Sequence, residues 1–324
     1  MITRLNRALQ ARGLLVLKLV VTTGILTWLF RSVRLDGFMV AIRHISPVGI
    51  VLAGGLVCGQ ALIAALRWHS ILRYLGAGLS VIRTIELFWT GLFFAAISPG
   101  GLAGDGARMW MLASTGSSAP KSINSVVLDR LAALAGLVLL VAASLPFVDD
   151  RVASQSVRYG TAAFLSLGLL ASFAFVTGFQ VPTAWQRSGA GRAAGSLLSD
   201  LKMLCWPLRR PLTLALLSVL TVASFAFAVF VLLRSVGSVI GPLDCMVLVP
   251  LIVLATTLPV SFGGWGLREG SMVGLFALVG ISPADAFSVS IVAGLLSTAA
   301  SLPGALVWLR TRRPAPQPLP GSYA

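Results

Sequence analysis

Arg268 and Glu269 close a glycine-rich stretch, Pro259-Val-Ser-Phe-Gly-Gly-Trp-Gly-Leu-Arg-Glu-Gly270, set inside an apolar region that begins near Cys245 and resumes at Ser271. A second stretch, Ser98-Pro-Gly-Gly-Leu-Ala-Gly-Asp-Gly-Ala-Arg108, repeats the pattern: a proline, a double glycine, a further glycine, then an acid and an arginine. Charged side chains at bilayer depth are costly and persist where they face protein or a wet cavity. Broken backbone at that depth is tolerated under the same condition. A helix restarting after such a break aims its free N–H groups and positive dipole end into it, a setting that suits an anion such as phosphate. The chemistry these residues could do is therefore charge compensation. No His/Asp or Ser/His constellation falls at membrane depth to make or break bonds, and no GxxxxGK[ST] loop is present to bind a nucleotide.

The candidate substrate-binding residues follow. Arg108, Arg130 and Arg268 could neutralise a phosphate, with Asp105 and Glu269 positioning the arginines, Arg67 as a further contact, and Gly100, Gly101, Gly263 and Gly264 opening the backbone. Asp105 can cap the helix that follows the first break, with Arg108 one turn on along the same face. Arg268 and Glu269 are neighbours in sequence, so on a helix they diverge and each needs a partner elsewhere. The expectation is that the two breaks meet, Arg268 near Asp105 and Glu269 near Arg108. The bland alternative makes these charges ion pairs that pin the chain and touch no ligand. Arg67 beside Trp68 reads first as an interfacial anchor, with phosphate contact as the alternative, and Glu86 as a paired or protonated acid in a short helix.

The composition fixes the setting for these residues. Of 324 residues, 57% are hydrophobic and 11% charged, well below the quarter or so that soluble domains carry. This is an all-α integral membrane protein. The formal charge of +15 is scattered between apolar runs without stacking aromatics, which excludes nucleic acid and fits cytoplasmic loops facing anionic lipid headgroups. Cys58, Cys205 and Cys245 have no paired spacing, and His44 and His69 have no metal-site neighbours, so no disulfide, metal or other cofactor is expected. The sequence gives no sign of oligomeric state.

The elements that must position the charges come in two halves, about 14–145 and 161–309. Leu14 to Phe30 is long for a signal peptide and lacks a cleavage site, so it reads as an uncleaved first span with a cytoplasmic N-terminus. Val48 to Leu66, Val126 to Leu145, Thr161 to Phe179, Pro211 to Leu233 and Ala286 to Leu309 complete six full spans, with an outward loop holding Arg31, Arg34 and Arg43 and a basic cytoplasmic loop holding Arg187, Arg192, Lys202, Arg209 and Arg210. Thr84 to Ile97 with Asp105 to Ala113, and Met246 to Leu258 with Arg268 to Val279, are too short to cross and read as re-entrant or broken helical hairpins. The basic residues place both termini in the cytoplasm and give the two halves opposite orientations, the inverted repeat of many transporters. Residues 1–313 form a single polytopic domain, and 314–324 a short Pro-rich tail.

Arg67-Trp68, the Ser98–Arg108 stretch, Val126-Val-Leu-Asp-Arg-Leu131 and Leu258–Gly270 together resemble the signatures of the lysylphosphatidylglycerol synthase transmembrane, or flippase-like, family. The resemblance covers nearly the whole chain, and its most specific motif is the glycine-rich one ending in Arg-Glu. It implies a polytopic bacterial or archaeal membrane protein proposed to move lipids between leaflets, expected here in the bacterial cytoplasmic membrane. Two-domain relatives add a soluble aminoacyl-transferase domain, which this sequence is expected to lack, so the synthase activity is not carried over. Asp105 stands where relatives often have glutamate, one methylene longer. The expected function is translocation of an anionic or phosphate-linked lipid, without catalysis. The alternative is an accessory or scaffold role for an envelope-biosynthesis enzyme.

Overall fold

The computed structural model describes residues 35–98, 102–147, 189–257 and 264–311, with Thr23, Gly24 and Thr27 besides. The expected first and fourth full spans, the tail, and Gly100, Gly101 and Gly263 lie outside the described residues. Helix α1 covers Leu35–His44, and α2 follows over Pro47–Tyr74. The start of α2 is written in its sequence: Pro47 sits in the first turn, where no N–H is needed, and Ser46 Oγ accepts from the Gly49 amide at 2.9 Å. Next come α3 (Val81–Ile97), α4 (Leu102–Ser114) and α5 (Ala119–Ser144). Beyond the undescribed segment lie α6 (Gly189–Cys205), α7 (Arg209–Ser235), α8 (Pro242–Thr256), α9 (Leu267–Ala277), α10 (Pro283–Ser301) and α11 (Pro303–Thr311).

Among the described residues, four stretches are long and apolar enough to cross a membrane: α2, α5 with its short continuation to Phe147, α7, and α10 with α11. They coincide with four of the six spans expected from sequence. At 28 residues, α2 extends about 42 Å, longer than the ~30 Å hydrocarbon core. Small residues let these helices approach closely, the device that replaces hydrophobic collapse in lipid. Gly49 of α2 lies against Ser235 of α7, where an added Cβ would sit 3.0 Å from the serine Cβ. Gly136 of α5 likewise faces Ser218 of α7. Around the first contact, Ala53 and Val57 pack with Ala226, Val229, Leu248 and Met272 in the main apolar core.

The short helices α3 and α4 lie in direct contact on either side of residues 99–101. A Cβ on Gly104 would strike the Gly91 carbonyl and the Ala95 methyl, and a Cβ on Gly91 would strike the Arg108 side chain. Glycine is thus required at this crossing by space rather than by backbone angle.

Two expected loops are helical. Leu35–His44 forms α1 and Gly189–Cys205 forms α6, because amphipathic segments can fold by burying one face without the length to cross. In α6, Leu204 joins Ile71, Leu75, Leu128 and Leu214 in a small apolar cluster. Asn124 of α5 donates to Asp200 Oδ2 at 2.6 Å and to Ser196 Oγ at 3.0 Å, fixing α6 beside the start of α5. The last expected span is broken: Pro303 has no N–H to donate, and the helix divides at Leu302. Trp89 of α3 donates its indole N–H to the Ala300 carbonyl at 3.0 Å. Gly304 rests on the Trp89–Thr90 backbone, where no side chain could fit.

Candidate functional site

Arg67 stands on α2, seven residues before its last residue, and is buried. An isolated guanidinium there would be prohibitive, and its Nε donates to Asp129 Oδ1 of α5 at 2.9 Å. The other carboxylate oxygen of Asp129 accepts from Arg108 Nη2 of α4 at 2.8 Å. Asp129 therefore joins three helices through one buried carboxylate. Arg67 also reaches Ser218 of α7 at 3.5 Å. The guanidinium of Arg108 lies against both the Trp68 and Phe88 rings, 4.2 and 4.7 Å from their centres, so aromatic faces replace part of its lost hydration. Trp68 is held in turn by its N–H to Ser125 Oγ at 3.4 Å.

One residue after Asp129, Arg130 points away from it and takes Asp105 in a two-bond fork, Nε to Oδ2 and Nη2 to Oδ1, both 2.8 Å. That paired geometry is the strong form of an arginine–carboxylate contact. Asp105 also lies 3.6 Å from Arg108, the one-turn pairing expected from sequence. Among the described residues the centre thus contains Arg67, Arg108 and Arg130 against Asp105 and Asp129, one more positive than negative charge. The Arg130 side chain is 56% exposed, whereas those of Arg67, Arg108 and Asp129 are at most 6% exposed. The Nε of Arg108 is buried without a hydrogen-bond partner. The excess charge is therefore presented on one side, by Arg130, over a buried and largely satisfied base.

The second centre is built differently. Gly264 and Gly266 have φ of +82° and +86°, conformations that favour glycine, and they turn the chain into α9. Glu269, fully buried, reaches back to accept the Gly266 N–H, as a third-position glutamate does when it closes a helix start. Its other oxygen accepts from Arg268 Nη2 at 2.6 Å and Nε at 3.0 Å, and from Ser290 Oγ of α10 at 3.2 Å. Arg268 lies over the Trp265 ring, 4.6 Å from its centre, and its guanidinium occupies the space that any side chain at Gly294 would need. This centre is electrically neutral and each of its charges has partners within it.

Several sequence expectations are corrected by these contacts. Arg268 and Glu269 bind each other, because a long arginine can fold back over its neighbour while the glutamate turns toward the helix start. The cross-pairs Arg268 with Asp105 and Glu269 with Arg108 are not formed: Asp105 is taken by Arg130 and Arg108, and Glu269 by Arg268. Asp105 lies inside the first turn of α4 rather than at its cap. Arg67 is no interfacial anchor, since it and Trp68 are both buried. Glu86, expected to be paired or protonated, is paired, with Arg83 at 2.7 Å three residues earlier on α3. The principal omission was Asp129. A carboxylate in the apolar Val126–Leu145 run has to be paired, and that signal was available.

Among the described residues no group of three or more His, Cys, Asp or Glu comes together to hold a metal. What the first centre can do is offer guanidinium donors and one unbalanced positive charge at a level flanked by membrane-length helices. No curated protein matches the sequence. Residues 15–304 match the family model described as the lysylphosphatidylglycerol synthase TM region, so the chain belongs to that family of membrane proteins of lipid metabolism or transport.

Proposed function

We propose that this protein is a lipid translocase, flippase- or scramblase-like, that carries an anionic or phosphate-linked lipid between the leaflets of the bacterial cytoplasmic membrane. The reading rests on one observation: three arginines and two aspartates gather among membrane-length helices, and the arginine facing outward from the cluster is the one left to answer the excess charge. A headgroup phosphate entering the hydrocarbon alone faces a desolvation cost on the order of 20 kcal/mol. Arg130 would exchange its fork on Asp105 for one on the phosphate, while Arg108 holds Asp105 and Asp129 holds Arg67 and Arg108. Lipid tails would stay in the bilayer, so only the headgroup needs a polar route. Six full spans, two re-entrant hairpins in inverted halves, one membrane domain over 1–313 and cytoplasmic termini complete this reading. Gly100, Gly101, Gly263 and Gly264 would open the backbone for headgroup passage.

Purified protein in liposomes tests it. Exchange of a labelled anionic phospholipid between leaflets is expected with the native chain and is expected to be lost in Arg130→Ala. A second reading, an accessory or scaffold subunit for an envelope enzyme, draws on the Arg268–Glu269 centre, whose groups satisfy one another and so suit a structural pin. That reading predicts no exchange by the purified chain, and co-purification with an enzyme instead.

A further inference from the structure

A cavity of about 550 Å³ lies between α2, α3 and the broken α10–α11 pair. Its walls include Gly54 and Cys58 of α2, Leu296 and Ala299 of α10, and Trp89 and Glu86 of α3. Small residues make the trough. At Gly54 an added Cβ would meet only Leu296 Cδ2, at 3.5 Å, so packing alone does not require glycine there. The cavity is separate from the arginine centre. Glu86 and Trp89 share the face of α3 that lines it, whereas Phe88 and Gly91, about 200° round the helix, meet Arg108.

We propose that this cavity holds one acyl chain of a membrane phospholipid, with the headgroup phosphate at Arg83. Two of the surrounding elements, α2 and α10–α11, have the length and hydropathy of spans, so the occupant available to an apolar trough is hydrocarbon rather than water. One charged residue, Glu86, lines the trough. Arg83 and Glu86 pair at 2.7 Å beside the Ser80-capped start of α3, each with 38% of its side chain exposed. Arg83 spends one donor on Glu86, and a guanidinium has others to offer a phosphate. An apolar trough with Glu86 in its wall and Arg83 paired to that carboxylate matches an amphiphile: tail inside, phosphate at the arginine. The site needs no movement between leaflets, so it stands whether or not the chain translocates lipid.

Cys58 supplies the readout, because its thiol is exposed and lines the trough, while Cys205 lies at the end of α6 and Cys245 is buried. In detergent-solubilised full-length protein, maleimide labelling of Cys58 is expected to slow about tenfold when a dioleoyl phospholipid is added at ten times its dissociation constant. Labelling of Cys205 stays unchanged, and inorganic phosphate alone gives no protection. Gly54→Leu and Ala299→Leu, which grow into the trough, are expected to lose the phospholipid that native mass spectrometry finds on the unaltered protein, and Arg83→Ala to weaken its retention. Unchanged Cys58 labelling with lipid present would overturn the proposal, as would equal lipid retention in a folded trough-filling variant. Protection by inorganic phosphate would overturn the tail assignment.

Discussion

Replacing Asp129 with asparagine removes the negative charge to which both Arg67 and Arg108 donate, at 2.9 and 2.8 Å. Asparagine keeps the shape, but its single oxygen can serve only one arginine well. The other guanidinium is left buried and unpaired, a loss that costs about 3–5 kcal/mol when one partner of a buried pair is removed. Ordinary interhelical hydrogen bonds in membrane proteins contribute about 0.6 kcal/mol and reach about 1.7, so the two cases are distinguishable. Equilibrium unfolding in mixed micelles is the assay, with Arg130→Ala as the comparison. Arg130 is more than half exposed and Asp105 keeps Arg108 at 3.6 Å, so losing its pair should cost less than stranding a buried guanidinium. A double variant, Asp129→Asn with Arg67→Met, should recover part of the loss, because the stranded charge is gone; the coupling should fall in the range of about 0.5–3 kcal/mol typical of contacting residues. If Asp129→Asn cost less than about 1 kcal/mol, or no more than Arg130→Ala, the buried-hub reasoning would fail.

Further outcomes follow from single contacts. Gly294→Ala drives a methyl into the Arg268 guanidinium and should destabilise the protein by about 1–3 kcal/mol, the usual range for overpacking; unfolding indistinguishable from the native chain would contradict the described seat of Arg268. Trp89→Phe deletes the indole donor to Ala300 and should cost about 1–3 kcal/mol if that carbonyl is left unsatisfied at the Pro303 break. In the folded protein without added lipid, Cys58 and Cys205 should label with maleimide and Cys245 only after denaturation, since its side chain is buried; rapid labelling of Cys245 in the native state would show that α8 is not packed as described.

Much of the helical layout was legible because hydropathy and length act locally. Pro47, Ser80 and Pro283 mark helix starts that sequence rules recognise. Four of the six expected spans coincide with membrane-length helices because long apolar runs are a local signal, and the one-turn contact of Asp105 with Arg108 follows from helix geometry. Partner choice was less legible because it is decided across helices. Nothing in the spacing of residues 67, 108 and 129 announces that they meet. Arg268 and Glu269 show the converse: neighbours that should diverge on an ideal helix converge because Glu269 is drawn back to the Gly266 N–H and Arg268 is laid over Trp265. The amphipathic α1 and α6 are not legible as uninterrupted apolar runs, because a helix that buries a single face spreads its apolar residues along one stripe.

The most direct measurement is transbilayer exchange of a fluorescent anionic phospholipid in protein-bearing liposomes, scored by the fraction of label that dithionite reduces from outside. With the native chain the reducible fraction should rise from about half to nearly all of the label. In Arg130→Ala, folded as judged by unfolding midpoint, it should stay at about half, because one labelled leaflet is sealed off. Full reduction with the Arg130→Ala protein, or reduction no greater with the native chain than in empty liposomes, would contradict the claim that the exposed arginine of the buried charge cluster carries the headgroup across.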